Sequence, residues 1–106
     1  MKSAEDCLLL DFYGNLLTEK MRNTMDLYLN DDLSLSEIAD TVGISRQGVH
    51  DTIKRASKQL SEYEEKLGLA SRFMSQMALI DEAVNLIDND DAEGAKALLN
   101  ALRTEI

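Results

Sequence analysis

The chain contains 106 residues, and its 20 acidic and 11 basic side chains give it a formal net charge of −9. This length allows one domain, or one small domain with an appendage, and the absence of proline favours helix almost throughout. The only cysteine, Cys7, excludes an internal disulfide and favours a reducing compartment. The apolar run at residues 7–10 is too short for a signal peptide or a membrane span, so we expect a cytoplasmic protein without membrane insertion.

Two helices are predicted to begin at hydroxyl side chains near the N-terminus. Ser3 can cap a first helix that ends between Asn15 and Thr18, and Thr18 can cap a second helix over residues 19–29. The predicted apolar face of the first helix comprises Cys7, Leu9, Leu10, Phe12, Tyr13, Leu16 and Leu17. The predicted inward positions of the second helix are Met21, Met25, Tyr28 and Leu29.

Residues 33–56, LSLSEIADTVGISRQGVHDTIKRA, have the length, turn chemistry and apolar spacing of a helix-turn-helix. Ala39 is small enough for the contact between the two helices, and Gly43 can adopt the positive φ that ends the first of them. Ser45 is placed to cap the second helix, which begins at Arg46. The predicted apolar wedge between the helices comprises Ile38, Val42, Ile44, Val49 and Ile53.

The same pattern also fits a corner of a plain helical bundle with a solvated outer face. Helix, tight turn and helix occur in both architectures, so each signal alone is weak. Ser34 and Glu37 can form a capping box at the start of the first helix. This capping box, together with the joint spacing of Ala39, Gly43 and Ser45, favours the helix-turn-helix.

The second helix of the motif carries polar side chains that are typical of nucleic-acid contacts. The candidate binding residues are Ser45, Arg46, Gln47, His50, Asp51, Lys54 and Arg55. Ser45 and Arg46 are placed to bind phosphate, and Gln47 and His50 to contact base edges. Lys54 and Arg55 are placed to bind the flanking nucleic-acid backbone. Asp51 would repel a nearby phosphate.

The net charge opposes a simple nucleic-acid binder, because proteins dominated by phosphate contacts usually have a basic face. Residues 34–60 nevertheless hold four basic and three acidic side chains. By comparison, residues 1–33 hold three basic and seven acidic side chains, and residues 61–106 hold four basic and ten acidic side chains. The motif is therefore the least acidic part of the chain, and we expect a low intrinsic affinity for duplex DNA.

The second helix of the motif has no stop signal between Arg46 and Gly68, so it should extend to roughly 30 Å at 1.5 Å per residue. Its apolar positions alternate four and three residues apart, the spacing of a heptad seam: Val49, Ile53, Ala56, Leu60, Tyr63 and Leu67. The spacing recurs after Gly68 in Phe73, Met77, Ile80, Val84 and Ile87. It recurs again in Ala92, Ala95, Leu99, Leu102 and Ile106.

These seams predict two domains, a helix-turn-helix domain at residues 1–67 and a C-terminal helical hairpin at residues 68–106. Asp90 and Glu93 can form a capping box for the last helix. The hairpin can pack on the first domain or on a second copy of the chain, and its broad apolar face favours a homo-oligomer. The candidate oligomer interface comprises Leu60, Tyr63, Leu67, Phe73, Met77 and Ile80.

No residue pattern indicates catalysis, a metal site or a cofactor. His50 is the only histidine, so Ser/His/Asp and Cys/His arrangements and histidine-based metal sites lack a second member. Asp88, Asp90 and Asp91 resemble the start of a calcium loop, but the twelfth position is Leu99 instead of glutamate. We therefore expect a protein that is not an enzyme.

Two family resemblances extend this interpretation. Residues 17–60 resemble region four of bacterial sigma factors, the module that binds promoter DNA. The whole chain is more similar to the YlxM family of small bacterial proteins, through DFYGNLLTEKMRNTMDLYLNDDLSLSEIADTVGISRQGVHDTIKR and the following YEEKLGL. Proteins of this family are encoded beside the signal recognition particle GTPase, and the resemblance implies a regulator or accessory factor of that pathway.

Two functions are therefore compatible with the sequence. The first is a dimeric regulatory protein that binds DNA through its helix-turn-helix. The second is an accessory protein that binds the RNA or the GTPase of the signal recognition particle and does not recognise DNA sequence. The first predicts affinity for particular duplex sites, and the second predicts affinity for the particle's RNA or protein.

Overall fold

The computed structural model describes residues 3–105, and this part of the chain is built from helices and contains no strand. Its α-helices are α1 (Ala4–Tyr13), α2 (Glu19–Leu29), α3 (Leu35–Val42), α4 (Arg46–Leu67), α5 (Leu69–Asp88) and α6 (Ala92–Glu105). A short 3₁₀ helix, Gly14–Leu16, follows α1. The chain divides into two compact units, Met1–Ala70 and Ser71–Ile106. The predicted all-α fold, with a helix-turn-helix and a C-terminal hairpin, is confirmed.

Hydroxyl side chains start the first two helices, as the sequence predicts. Ser3 Oγ accepts a hydrogen bond from the Asp6 amide at 3.1 Å, and the Asp6 carboxylate accepts one from the Ser3 amide at 3.2 Å. Thr18 Oγ1 accepts a hydrogen bond from the Met21 amide at 3.2 Å. These caps fix the start of α1 and α2, because each satisfies an amide that has no partner within its helix.

The main core of the first unit joins α1, α2 and α4. Its buried members are Leu9, Leu10, Tyr13, Leu17, Met21, Met25, Leu29, Ala56, Leu60 and Ala70, with Cys7 and Tyr28 packed against them. Phe12 and Leu16 are exposed, so the apolar face predicted for the first helix is too wide. Leu16 lies in the 3₁₀ helix, whose tighter turn takes its side chain away from the face that α1 presents to the core.

A hydrogen-bond network at Tyr13 holds the start of α5. The Tyr13 hydroxyl donates to Glu64 Oε1 at 2.6 Å and accepts from the Leu69 amide at 3.0 Å. The same oxygen of Glu64 accepts from the Ala70 amide at 3.0 Å. Burial of the phenol, together with its hydrogen bond to Glu64, raises the pKa of Tyr13 above its ordinary value. Two side chains from α1 and α4 therefore cap the first turn of α5.

A smaller core holds α3 against α4. Ile38, Ala39 and Val49 are buried in it, and Ile44 and Ile53 pack against them while partly buried. The predicted wedge is thus confirmed except at Val42, which is 38% exposed. Val42 is the last residue of α3 and lines a surface groove beside the turn, so its inclusion in the wedge is wrong.

The helix α4, which as the second helix of the motif is called its recognition helix, continues without a break for 22 residues, about 33 Å. Gly68, with φ of 63°, ends it, and its amide donates to the Glu64 carbonyl at 2.8 Å. Within the predicted seam, Leu60 is buried in the first unit's own core and Tyr63 packs against that core, whereas Leu67 is exposed. The side chain of Leu60 is therefore not available for the oligomer contact that the sequence predicts.

The turn between α5 and α6 differs from the prediction in its cap. Asp90 has a positive φ of 61° and belongs to the turn, while Asp91 Oδ1 accepts a hydrogen bond from the Gly94 amide at 2.9 Å. The left-handed backbone of Asp90 displaces the cap by one residue. The predicted capping box of Asp90 and Glu93 is therefore wrong, and Asp91 is the residue that caps α6.

The second unit leaves much of its apolar surface exposed. Its buried side chains are Ala83, Ala95 and Leu102. The predicted seam of α5 contains the exposed side chains of Phe73, Met77, Val84 and Ile87 and the partly buried side chain of Ile80. In the seam of α6, Ala95 and Leu102 are buried and Leu99 is exposed. Ile106, the last predicted member of this seam, lies outside the described residues. The unit thus carries an apolar heptad stripe on α5 whose side chains are mostly exposed.

Candidate nucleic-acid interface

The turn of the motif is centred on Gly43. This residue has φ of 75°, and its amide donates to the Ala39 carbonyl at 2.9 Å. The Ile44 amide donates to the same carbonyl at 3.2 Å. A side chain at positive φ would cost roughly 1–2 kcal/mol, so glycine allows this turn without strain. Ala39 itself is buried in the smaller core, where α3 meets α4.

Hydroxyl caps begin both helices of the motif. Ser34 Oγ accepts from the Glu37 amide at 3.1 Å, and Glu37 Oε1 accepts from the Ser34 amide at 2.9 Å, which confirms the predicted capping box. Ser45 Oγ accepts from the Gly48 amide at 3.0 Å. A Cβ atom at Gly48 would lie 3.2 Å from Ser45 Oγ, so glycine keeps this cap uncrowded. The hydroxyl proton of Ser45 is the group that could donate to a phosphate.

One face of α4 points away from the core. The buried face is marked by Val49, Thr52, Ala56 and Leu60. The opposite face carries four exposed side chains spaced four, three and four residues apart, which we call the outward stripe: Gln47, Asp51, Lys54 and Lys58. The exposed side chains of Arg46 and His50 flank it on one side, and that of Arg55 flanks it on the other.

Asp51 organises the polar groups around it. Gln47 Nε2 donates to Asp51 Oδ1 at 3.0 Å, and His50 Nδ1 lies 3.6 Å from the same oxygen. Recognition of adenine by a glutamine amide requires both its nitrogen and its oxygen. One of the two N–H groups of Gln47 Nε2 is bonded to Asp51, and the other, together with the amide oxygen, remains available for the predicted base-edge contact.

Surface grooves border α4 on both sides of the outward stripe. On one side, His50 and Lys54 line a groove of about 330 Å³ together with Tyr28. On the other side, Arg55 lines a groove of about 420 Å³ together with Lys20, near the start of α2. The basic surface of the recognition helix therefore continues onto α2.

The structure adds two basic residues to the candidate interface. Lys58 lies four residues after Lys54 on the outward stripe, and this spacing is visible in the sequence. Lys20 lies on another helix, 35 positions before Arg55, and no local pattern connects the two. The seven predicted residues are all exposed and lie within one stretch of the chain, from Ser45 to Arg55.

Comparison with known proteins agrees with this geometry. Residues 2–98 match the sequence profile of a family described as helix-turn-helix protein, YlxM / p13 like. The chain belongs to the YlxM / p13-like family. The resemblance found in the sequence is therefore confirmed over nearly the whole chain.

Curated YlxM / p13-like relatives are identical to this chain at about half of the aligned residues. A UPF0122 protein of Symbiobacterium thermophilum is 44% identical over 98 residues, which cover 92% of each chain. A UPF0122 protein of Desulforamulus reducens is 52% identical over 81 residues, which cover 76% of this chain and 69% of the relative. A UPF0122 protein of Shouchella clausii is 46% identical over 95 residues, which cover 89% of this chain and 87% of the relative.

Within residues 3–105, no group of three or more histidine, cysteine, aspartate or glutamate side chains is arranged to hold a metal ion. In the same part of the chain, no helix has both the length and the hydropathy needed to cross a bilayer.

Proposed function

We propose that this chain is a non-enzymatic regulatory protein that binds duplex DNA through α4. The observation that carries the proposal is the exposed polar face at the start of α4, held at a fixed angle by the buried contact of α3. In helix-turn-helix proteins the second helix of the motif enters the major groove with its N-terminal residues against base edges. The outward stripe begins at Gln47, the second residue of α4.

The distribution of charge supports the same assignment. The basic side chains of the motif, Arg46, Lys54, Arg55 and Lys58, are all on α4, and the groove beside Arg55 adds Lys20. The second unit is acidic, with seven acidic and three basic side chains. Phosphate contacts are therefore expected from α4 and not from the acidic second unit.

Replacing Arg46, Lys54 and Arg55 together by alanine should weaken DNA binding by roughly tenfold or more at low salt. Each phosphate contact contributes about 0.9 to the slope of log affinity against log salt, so the slope should flatten by about 2.7. The free energy of unfolding should change by roughly 0.5 kcal/mol or less per site, because all three side chains are exposed. Titration of a labelled duplex at several salt concentrations measures both effects.

The matched control removes the same charge from the second unit by changing Arg72, Lys96 and Arg103 to alanine, and it should leave the salt slope unchanged. If the α4 variant binds duplex DNA like the unmodified chain, α4 is solvated surface and the proposal fails. The same titration with the signal recognition particle's RNA tests the second function that the sequence allows. Binding of that RNA, with indifference to DNA sequence, would support an accessory role in the particle's pathway.

We further propose that the DNA-binding form is a homodimer joined through the apolar heptad stripe of α5. The stripe comprises Phe73, Met77, Ile80, Val84 and Ile87. Its four-three spacing is that of helices that pack against a partner helix, and four of its five members are exposed within the protomer. A two-fold dimer would present two copies of α4 to two half-sites of a palindromic operator.

Replacing Val84 by glutamate should convert the dimer to a monomer, because it places a charge in the middle of the stripe. The adjacent change Asn85→Glu introduces the same charge outside the stripe and should leave the dimer intact. Light scattering gives the mass of each variant, and circular dichroism shows whether the helices are retained. An unmodified chain with the mass of a monomer at the concentrations used for DNA binding would refute the dimer.

A further inference from the structure

Asp51 is an unusual side chain at the centre of a surface proposed to meet DNA. It lies on the outward stripe between Gln47 and Lys54, and its side chain is 57% exposed. A carboxylate at this position would face either a phosphate, which it repels, or the edge of a base. The basic side chains that could bind phosphate lie around it, so the geometry favours the base edge.

The hydrogen-bond chemistry of Asp51 restricts which base it could contact. An ionised carboxylate only accepts hydrogen bonds. In the major groove, the exocyclic amino groups of cytosine and adenine are donors, whereas guanine N7 and O6 and thymine O4 are acceptors. Asp51 therefore disfavours guanine and thymine.

Adenine and cytosine differ in the major-groove atom that lies beside the amino group. Adenine presents its N7 acceptor beside its amino group, and this acceptor would lie close to a carboxylate. Cytosine presents its amino group without an acceptor beside it in the major groove. The carboxylate therefore favours cytosine over adenine.

The bond between Gln47 and Asp51 fixes the orientation of the Gln47 amide. Gln47 Nε2 donates one of its two N–H groups to Asp51 Oδ1. The amide oxygen and the second N–H group remain available for contacts with DNA. The preference for cytosine therefore comes from the Asp51 carboxylate, and Gln47 lies beside it in a fixed orientation.

We propose that Asp51 recognises the N4 amino group of a cytosine in the major groove and that its hydrogen bond to Gln47 orients the amide of that residue. This inference rests on the proposed function, because it assigns base specificity to the same helix face. It concerns sequence preference, whereas the basic side chains concern affinity. The two can therefore be tested separately.

The experiment selects bound duplexes from a randomised pool, using the full chain and the variants Asp51→Asn and Asp51→Ala. The unmodified chain should enrich a C·G pair at one position of each half-site. Asp51→Asn keeps the shape of the side chain and adds a donor, so it should enrich adenine at that position. Asp51→Ala should lose the preference there and keep it elsewhere. The change in relative affinity at that position should be roughly 5- to 150-fold, as for one good base contact.

The matched control is Glu65→Gln, which removes one negative charge from the same face of α4 near its other end. It should strengthen binding to every sequence alike and leave the base preference unchanged. Circular dichroism of all variants should match that of the unmodified chain, because both residues are exposed.

The outcomes separate the inference from the proposed function. If the unmodified chain selects a site and Asp51→Asn selects the same site, the inference is overturned while DNA binding stands. If Asp51→Asn and Glu65→Gln both raise the affinity for all sequences equally, Asp51 acts only as a charge and the inference is again overturned. If the unmodified chain binds no duplex, the proposed function fails first.

Discussion

Replacing Leu60 by aspartate should unfold the first unit, whereas the same change at Leu67 should leave it folded. Leu60 is 2% exposed and packs in the core that joins α1, α2 and α4, while Leu67 is 50% exposed. Both residues belong to the same apolar seam of α4, seven positions apart. The pair therefore tests whether burial or seam membership determines the role of each side chain.

The size of the expected effect follows from two costs that add at Leu60. Truncating a buried leucine costs about 2–5 kcal/mol, and burying an unpaired carboxylate costs several more. A whole domain is stable by only about 5–15 kcal/mol. Circular dichroism should show loss of helix for Leu60→Asp at room temperature and a melting temperature near the original for Leu67→Asp. Equal melting temperatures for the two variants would contradict the packing described for α4.

Replacing Ile38 by alanine should destabilise the first unit by about 2–5 kcal/mol. Ile38 is fully buried, and the smaller core contains only two other buried residues, Ala39 and Val49. A cavity at Ile38 therefore removes much of the contact that orients α3 against α4. We expect a loss of DNA affinity as well, because the angle of α4 depends on this contact.

The control for Ile38 lies one turn further along α3. Val42→Ala should change the free energy of unfolding by about 0.5 kcal/mol or less, because Val42 is 38% exposed. Urea denaturation of both variants, followed by circular dichroism, measures the difference. Equal destabilisation by Val42→Ala and Ile38→Ala would show that Val42 belongs to the buried wedge.

The features that the sequence predicts well are local ones. Ser34, Ser45 and Gly43 each act on a backbone group within four residues, so their effects depend little on the rest of the fold. The two ends of α3 and the start of α4 follow from them. The exposure of the seven candidate residues is predicted for the same reason, because helical periodicity determines which side chains face outward, while their contacts with nucleic acid stay a prediction.

The features that the sequence does not predict depend on distant parts of the chain. Periodicity places Leu60 and Leu67 in one seam, but only the packing of α1 and α2 determines that Leu60 is buried and Leu67 is not. The proximity of Lys20 to Arg55 depends in the same way on how α2 meets α4. The cap at Asp91 depends on the left-handed backbone of Asp90, which the sequence pattern does not specify.

The hydrogen bonds of Tyr13 have a consequence for the order in which the chain folds. Forming the first turn is the costly step for any helix. In α5 that turn is capped by Tyr13 and Glu64, and Tyr13 lies 56 positions before Leu69. α1 and α4 both precede Leu69 in the chain, so the first unit can pack them before α5 forms. We therefore expect α5 to start on a preformed surface, so that the second unit folds after the helix-turn-helix.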